Sequence, residues 1–127
     1  MKARLGIAPI AWSNDDLPEL GGKTSLETCL SESRKAGFSG VETGGKFPKS
    51  ANELDQILKH HDLSLCGGWY SGTLLDTELE KEKECVVEQL ELFKALKAPC
   101  LVYGETAGTI QNVRNAPLNT RRKLDKF

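Results

Sequence analysis

No stretch of the 127 residues is long and apolar enough to span a bilayer. The opening Met1-Lys-Ala-Arg4 lacks the apolar run and small-residue cleavage site of a secretory signal. Net charge is nearly absent: seventeen Lys and Arg against eighteen Asp and Glu leave −1. No general pull toward nucleic acid or an anionic membrane is therefore expected. Cys29, Cys66, Cys85 and Cys100 include no C-x-x-C pair, which argues against a structural zinc site. Their wide spacing fits reduced thiols, acting as small apolar groups in a cytoplasmic protein. Also missing are a G-x-G-x-x-G turn, a Walker loop and a nucleophile elbow. Their absence weakens nucleotide-binding and serine-hydrolase readings.

What the chain does have is alternation. Leu5 to Trp12 is short, apolar and uncharged, and reads as a buried strand. Pro9 inside it would remove a ladder hydrogen bond and favours an unpaired side or a local irregularity. Thr24-Ser-Leu-Glu27, Ser50-Ala-Asn-Glu53 and Thr77-Glu-Leu-Glu80 have the form of capping boxes. Each precedes an apolar stripe: Leu26, Cys29, Leu30 and Ser33; then Leu54, Ile57, Leu58 and His61; then Leu79, Val86, Leu90, Phe93 and Leu96. The charge run Glu78 to Glu84 reads as a solvated helix face. Further strands are expected at Ser39–Thr43, Leu63–Trp69 and Cys100–Tyr103, with Gly37 and Pro99 as stops. After them, 105–127 reads as a long loop and a basic tail.

Strand-then-helix three times, closed by a fourth strand, predicts an α/β domain over 1–127 with a parallel sheet. A small doubly wound sheet and the (βα)3-β4 half of an eight-stranded barrel both fit this order. In either, ligands gather where the strands end. The candidates there are Trp12, Asn14 and Asp15 after the first strand, Glu42 and Lys46 around the second, Trp69 and Tyr70 at the third, and Glu105 and Gln111 after the fourth. Glu42, followed by two glycines, suits a base or a sugar-hydroxyl ligand. Its alternative is a salt bridge to Lys46 or a carboxylate on the rim. Lys46 suits an oxyanion or carbonyl oxygen, or bare solvent. The two tryptophans suit a wall for a sugar ring, or core packing. His60 and His61, at the end of the second helix, read as structural or exposed.

The run from Leu5 to Gly22, with Gly40-Val-Glu-Thr-Gly-Gly-Lys-Phe-Pro48, Gly68-Trp-Tyr-Ser71, Gly108-Thr-Ile-Gln111 and Pro117-Leu118, resembles the inosose dehydratases of inositol breakdown. They sit within the wider group of xylose-isomerase-like sugar isomerases, epimerases and dehydratases, built on the (β/α)8 barrel. The resemblance implies loss of water from 2-keto-myo-inositol to give a trihydroxycyclohexane dione. It also implies Mn or Co, and glutathione. It covers the first half of the usual chain, whereas the family's metal ligands come mainly from later strands, so no metal ligand is assigned here. A truncated product is expected, impaired alone, whose open edges favour a homo-oligomer or a complementing second half. The alternatives are a sugar isomerase or epimerase of the same barrel group, or a non-catalytic assembly module.

Overall fold

The computed structural model describes residues 3–110. They form β1 (Gly6–Ile7), α1 (Leu26–Lys35), β2 (Gly40–Thr43), α2 (Ala51–His60), β3 (Ser64–Gly72), α3 (Leu79–Ala95) and β4 (Val102–Glu105), with a 3-10 turn at Pro9–Ala11. All neighbouring strands are parallel, in the order β1-β2-β3-β4. The core joins Leu30 of α1, Leu54 and Leu58 of α2 and Phe93 of α3 to Val41 of β2 and Leu65 of β3. All three helices therefore cover one sheet face. Sequential strand order with helices on one face is the barrel arrangement, so the chain is a half-barrel and not a doubly wound sheet.

The other face carries side chains of alternate residues. Cys66 lies against Gly6 and Gly40, and the Trp69 ring lies over Gly104. Trp69 is 54% exposed and Val102 43%. Among the described residues no strand pairs with the outer edges of β1 and β4.

The first strand is shorter than its apolar run implied. It stops at Ile7 because Pro9 opens the 3-10 turn, where its fixed φ fits and its missing N–H costs nothing. Leu5 and Ile10 are exposed, so the run is not a buried strand. The fourth strand begins two residues later than expected and includes Glu105. The expected loop and tail are thus shortened at one end, and their remainder from 111 lies outside the described residues. The third strand runs on to Gly72. Gly68 is needed within it: a Cβ there would fall 2.0 Å from Thr43 Oγ1 and 2.9 Å from Phe93 Cζ.

Only one of the three capping boxes forms in the expected frame. Ser50 accepts from the Glu53 amide at 3.5 Å. The cap of α1 is Ser25, not Thr24, and accepts from the Thr28 amide at 3.0 Å. The N-cap of α3 is Glu78, with no side-chain bond, and Thr77 turns its hydroxyl to Thr73 instead.

The C-termini share a device that the cap motifs do not announce. Phe38, Leu63 and Ala98 donate their amides to the carbonyls of Ser33, Leu58 and Phe93. The residue before each is left-handed: Gly37 at φ 93°, Asp62 at 52°, Lys97 at 56°. These are Schellman closures, and each aims the chain into the next strand.

Glu82, read as part of a solvated charge run, is 5% exposed. It falls on the α3 stripe one turn before Val86. Its carboxylate accepts from the Thr73 amide and hydroxyl, both at 3.1 Å, and from Tyr103 Oη at 3.0 Å. One carboxylate thus ties α3 to the loop after β3 and to β4. The Thr73 amide first, then the Tyr103 and Thr73 hydroxyls, hold this carboxyl below its ordinary range. Burial, followed by the Glu82 bond, pushes Tyr103 up to about 12.

Lys97→Gly removes the cost of a left-handed side chain and stabilises the fold by up to about 1 kcal/mol in urea unfolding. The depressed Glu82 carboxyl contributes stability above the ordinary carboxylate range, and that stability is lost as pH falls through its lowered value. Glu82→Gln should therefore flatten the acid limb of the stability profile. In an alkaline titration followed by tyrosine absorbance, the same change should move Tyr103 from near 12 back toward its ordinary value.

Candidate functional site

A cleft of about 960 Å³ opens at the carboxyl ends of the strands. Its floor is the end of β2 and β3, with Glu42, Trp69 and Ser71. One wall is the turn after β1, with Pro9 and Asn14; the other is α3, with Glu88 and Gln89. Glu42 follows Val41, which faces the helices, so strand alternation turns its carboxylate toward the bare face. A register shift between Val41 and Glu42 leaves Gly67 opposite the carboxylate-bearing residue. Glu42 is half-buried and, among the described residues, its carboxylate makes no hydrogen bond or ion pair.

The surrounding loops are tied together. Asn14 Oδ1 accepts from the amides of Asp16 and Leu17 at 2.9 and 3.0 Å, closing a local turn. Asp15 Oδ2 accepts from the Gly45 amide at 2.7 Å. A Cβ on Gly45 would fall 2.9 Å from the same carboxylate, so glycine is what permits the approach. Lys46 Nζ donates to the Gly22 carbonyl at 2.7 Å. These bonds bind the segment after β1 to the segment after β2.

Trp69 stands exposed on the cleft floor. Its indole N–H donates to Ser71 Oγ at 3.0 Å, and its carbonyl accepts from Gln89 Nε2 at 3.2 Å. Behind it, Tyr70 stacks on Tyr103 at 5.6 Å. Burial, then the nearby Glu82, Cys85 and Glu88, push the Tyr70 phenol up. Burial, then Glu42, push the Cys66 thiol up. Both groups stay neutral at ordinary pH.

The expected site residues divide. Asn14, Asp15, Glu42, Trp69 and Tyr70 line one cleft. Trp12, Lys46 and Glu105 do not line it. Trp12 turns its indole N–H to Glu32 of α1 at 2.5 Å. Lys46 is bonded to the Gly22 carbonyl rather than to Glu42. Glu105 accepts from the Leu74 and Ala107 amides at 2.9 and 2.8 Å. Gln111 lies outside the described residues. His61 meets Glu27 at 2.9 Å, far from the cleft, as a structural histidine. Sequence reading missed the α3 wall. Glu88 and Gln89 come two and three residues after Val86 of the helical stripe, and only their polarity inside an apolar stretch hinted at it.

Among the described residues no three His, Cys, Asp or Glu side chains converge on a point that could hold a metal. These residues by themselves do not fit a Mn or Co centre. No helix among them is long and apolar enough to cross a membrane. All four cysteines are free thiols.

No family model matches the chain, but curated relatives do. The rhizopine catabolism protein MocC of Rhizobium meliloti is 41% identical over 125 residues, 98% of this chain and 38% of its own length. The inosose dehydratase of Geobacillus thermodenitrificans is 38% identical over 123 residues, 97% of this chain and 41% of its own. That of Mesomycoplasma hyopneumoniae is 40% identical over 115 residues, 91% of this chain and 38% of its own. The chain spans about two fifths of the length of these relatives. With four parallel strands, one helix-covered face and this continuous likeness, the chain is similar over nearly its whole length to part of the proteins named inosose dehydratase and MocC.

Proposed function

We propose that this chain carries the substrate-binding and proton-abstracting side of an inosose dehydratase site. In this reading it acts on 2-keto-myo-inositol in inositol breakdown. The observation that carries the proposal is the Glu42 carboxylate, unpaired among the described residues and lining the same cleft as the exposed Trp69, a cleft roomy enough to admit a six-membered polyol. Glu42 removes the proton on the carbon beside the ketone, and the electron pair passes into the carbonyl as an enolate. The hydroxyl on the next carbon then leaves, taking the proton from Glu42 to depart as water. Trp69 offers a flat apolar face to the C–H side of the ring, and Asn14 and Ser71 offer polar contacts to its hydroxyls. Lys46 acts through the loop it holds, as a positioning residue, and Trp12 and Glu105 fix the strand ends behind the cleft. Mn or Co, and glutathione, belong to this proposal through family likeness. Their contacts would come from outside residues 3–110, on a complementing half of the barrel. Four free thiols suit a reducing, cytoplasmic setting.

The first chemical step can be read alone. Incubated with 2-keto-myo-inositol in heavy water, the chain should exchange the proton beside the ketone, as followed by NMR. Glu42→Gln should slow this exchange by about 10²- to 10⁴-fold, the usual contribution of a positioned base. Trp69→Ala should weaken binding while leaving the exchange rate at saturation nearly intact. Exchange indifferent to Glu42 would end the assignment. Turnover confined to aldose–ketose pairs would favour an isomerase instead.

A further inference from the structure

Proton abstraction by Glu42 puts a second charge into the cleft. As the proton leaves carbon, the electron pair moves onto the ketone oxygen and negative charge grows there. Enzyme sites meet such an oxygen with a fixed positive charge or hydrogen-bond donor. Lys46 does not serve, since it lies outside the cleft lining and its ammonium donates to the Gly22 carbonyl.

Lys49 is placed to serve. It lines the same cleft as Glu42, and among the described lining residues it carries the one positive charge. Both residues belong to one short connection, from the end of β2 to the start of α2. The chain turns at Gly44 and Gly45, and the Phe47 amide closes that turn on the Gly44 carbonyl. Phe47 is buried in the core. The ring of Pro48 fixes its own φ, and Ser50 caps α2 through the Glu53 amide. The backbone at Lys49 is thus anchored on both sides, while its side chain is exposed. Among the described residues its ammonium makes no ion pair, whereas Lys59, Lys83 and Lys94 on the helix surfaces meet Asp55, Glu80 and Glu91. Asp15, Asp16 and Glu88 line the cleft as well. An enolate formed among these carboxylates is costly without a counter-charge, and Lys49 supplies one.

We propose that Lys49 is a second catalytic residue of this site, donating from its ammonium to the ketone oxygen and holding the negative charge that develops there. The carbon–hydrogen bond beside the ketone breaks, and its proton goes to Glu42. Its electron pair forms a carbon–carbon double bond, and the carbonyl pair moves onto the oxygen facing Lys49, which keeps its own proton. The pair then returns and the carbonyl re-forms. The hydroxyl on the next carbon leaves, with the proton from Glu42, as water. This inference rests on the dehydratase reading and adds to it the partner of the oxygen.

Binding of a stable enolate tests this without turnover. The background is Glu42→Gln, which mimics the protonated carboxyl that faces the enolate. The probe is cyclohexane-1,3-dione, a six-membered ring that is an enolate at neutral pH, and the control is cyclohexanone, which is neutral. In NMR titrations of the 127-residue chain, Glu42→Gln should bind the enolate at least about tenfold more tightly than the neutral ring, the worth of one charge-assisted hydrogen bond. Adding Lys49→Met should abolish that difference and leave the affinity for cyclohexanone within about twofold. Lys49→Arg should keep most of the difference, since it keeps the charge. Equal affinity of Glu42→Gln for the two rings would overturn the proposal. So would an enolate preference that survives Lys49→Met. The dehydratase reading fails separately, through proton exchange indifferent to Glu42. An enolate preference that disappears with Lys49 would still mark this lysine as the partner of the anion in that case.

Discussion

Burial of a single sheet face governs this structure. Leu30, Leu54 and Phe93, one from each helix, meet Val41 and Leu65 in one core. A right-handed crossover places each helix on the same side when strands are added in sequence order. The same rule therefore builds the hydrophobic layer and leaves the opposite face bare. Everything functional lies on or beside that bare face. Glu42 reaches it because Val41 does not, and Trp69 stands on it because the residues before and after it are directed elsewhere.

Much of this was legible because periodicity reports burial. The Cys29, Leu30 and Ser33 stripe and the Leu54 and Leu58 stripe are buried as their spacing implied. Alternation of strand and helix led to the parallel sheet. What pattern could not separate was a barrel half from a doubly wound sheet, since both have the same order of elements and differ only in where the helices lie. Local propensity also failed where tertiary contacts won. Thr24 has the form of a cap, yet Ser25 serves, because Thr24 is taken up in the turn that donates to the Gly21 carbonyl. Glu82 looked like one more charge in an acidic run, although its phase along α3 is that of Val86 and Phe93.

The candidate site was half legible for a similar reason. Residues at strand ends are placed by topology alone, and Asn14, Glu42 and Trp69 indeed share a cleft. Which way a loop side chain turns depends on partners distant in sequence. Trp12 finds Glu32 and Lys46 finds Gly22, at separations of 20 and 24 residues that no local motif encodes. The α3 wall was hidden because helix faces are read for their apolar side, and a polar residue near its border looks like solvent surface.

The bonds from Asp15 to Gly45 and from Lys46 to Gly22 have a consequence for how this region can change. The two segments are interlocked, each holding the other by one side chain and one backbone group. Exchanging either alone for its counterpart from a related protein would strand a carboxylate or an ammonium with nothing opposite it. Natural variation and deliberate grafting alike should therefore treat them as a single cassette, inherited or replaced together.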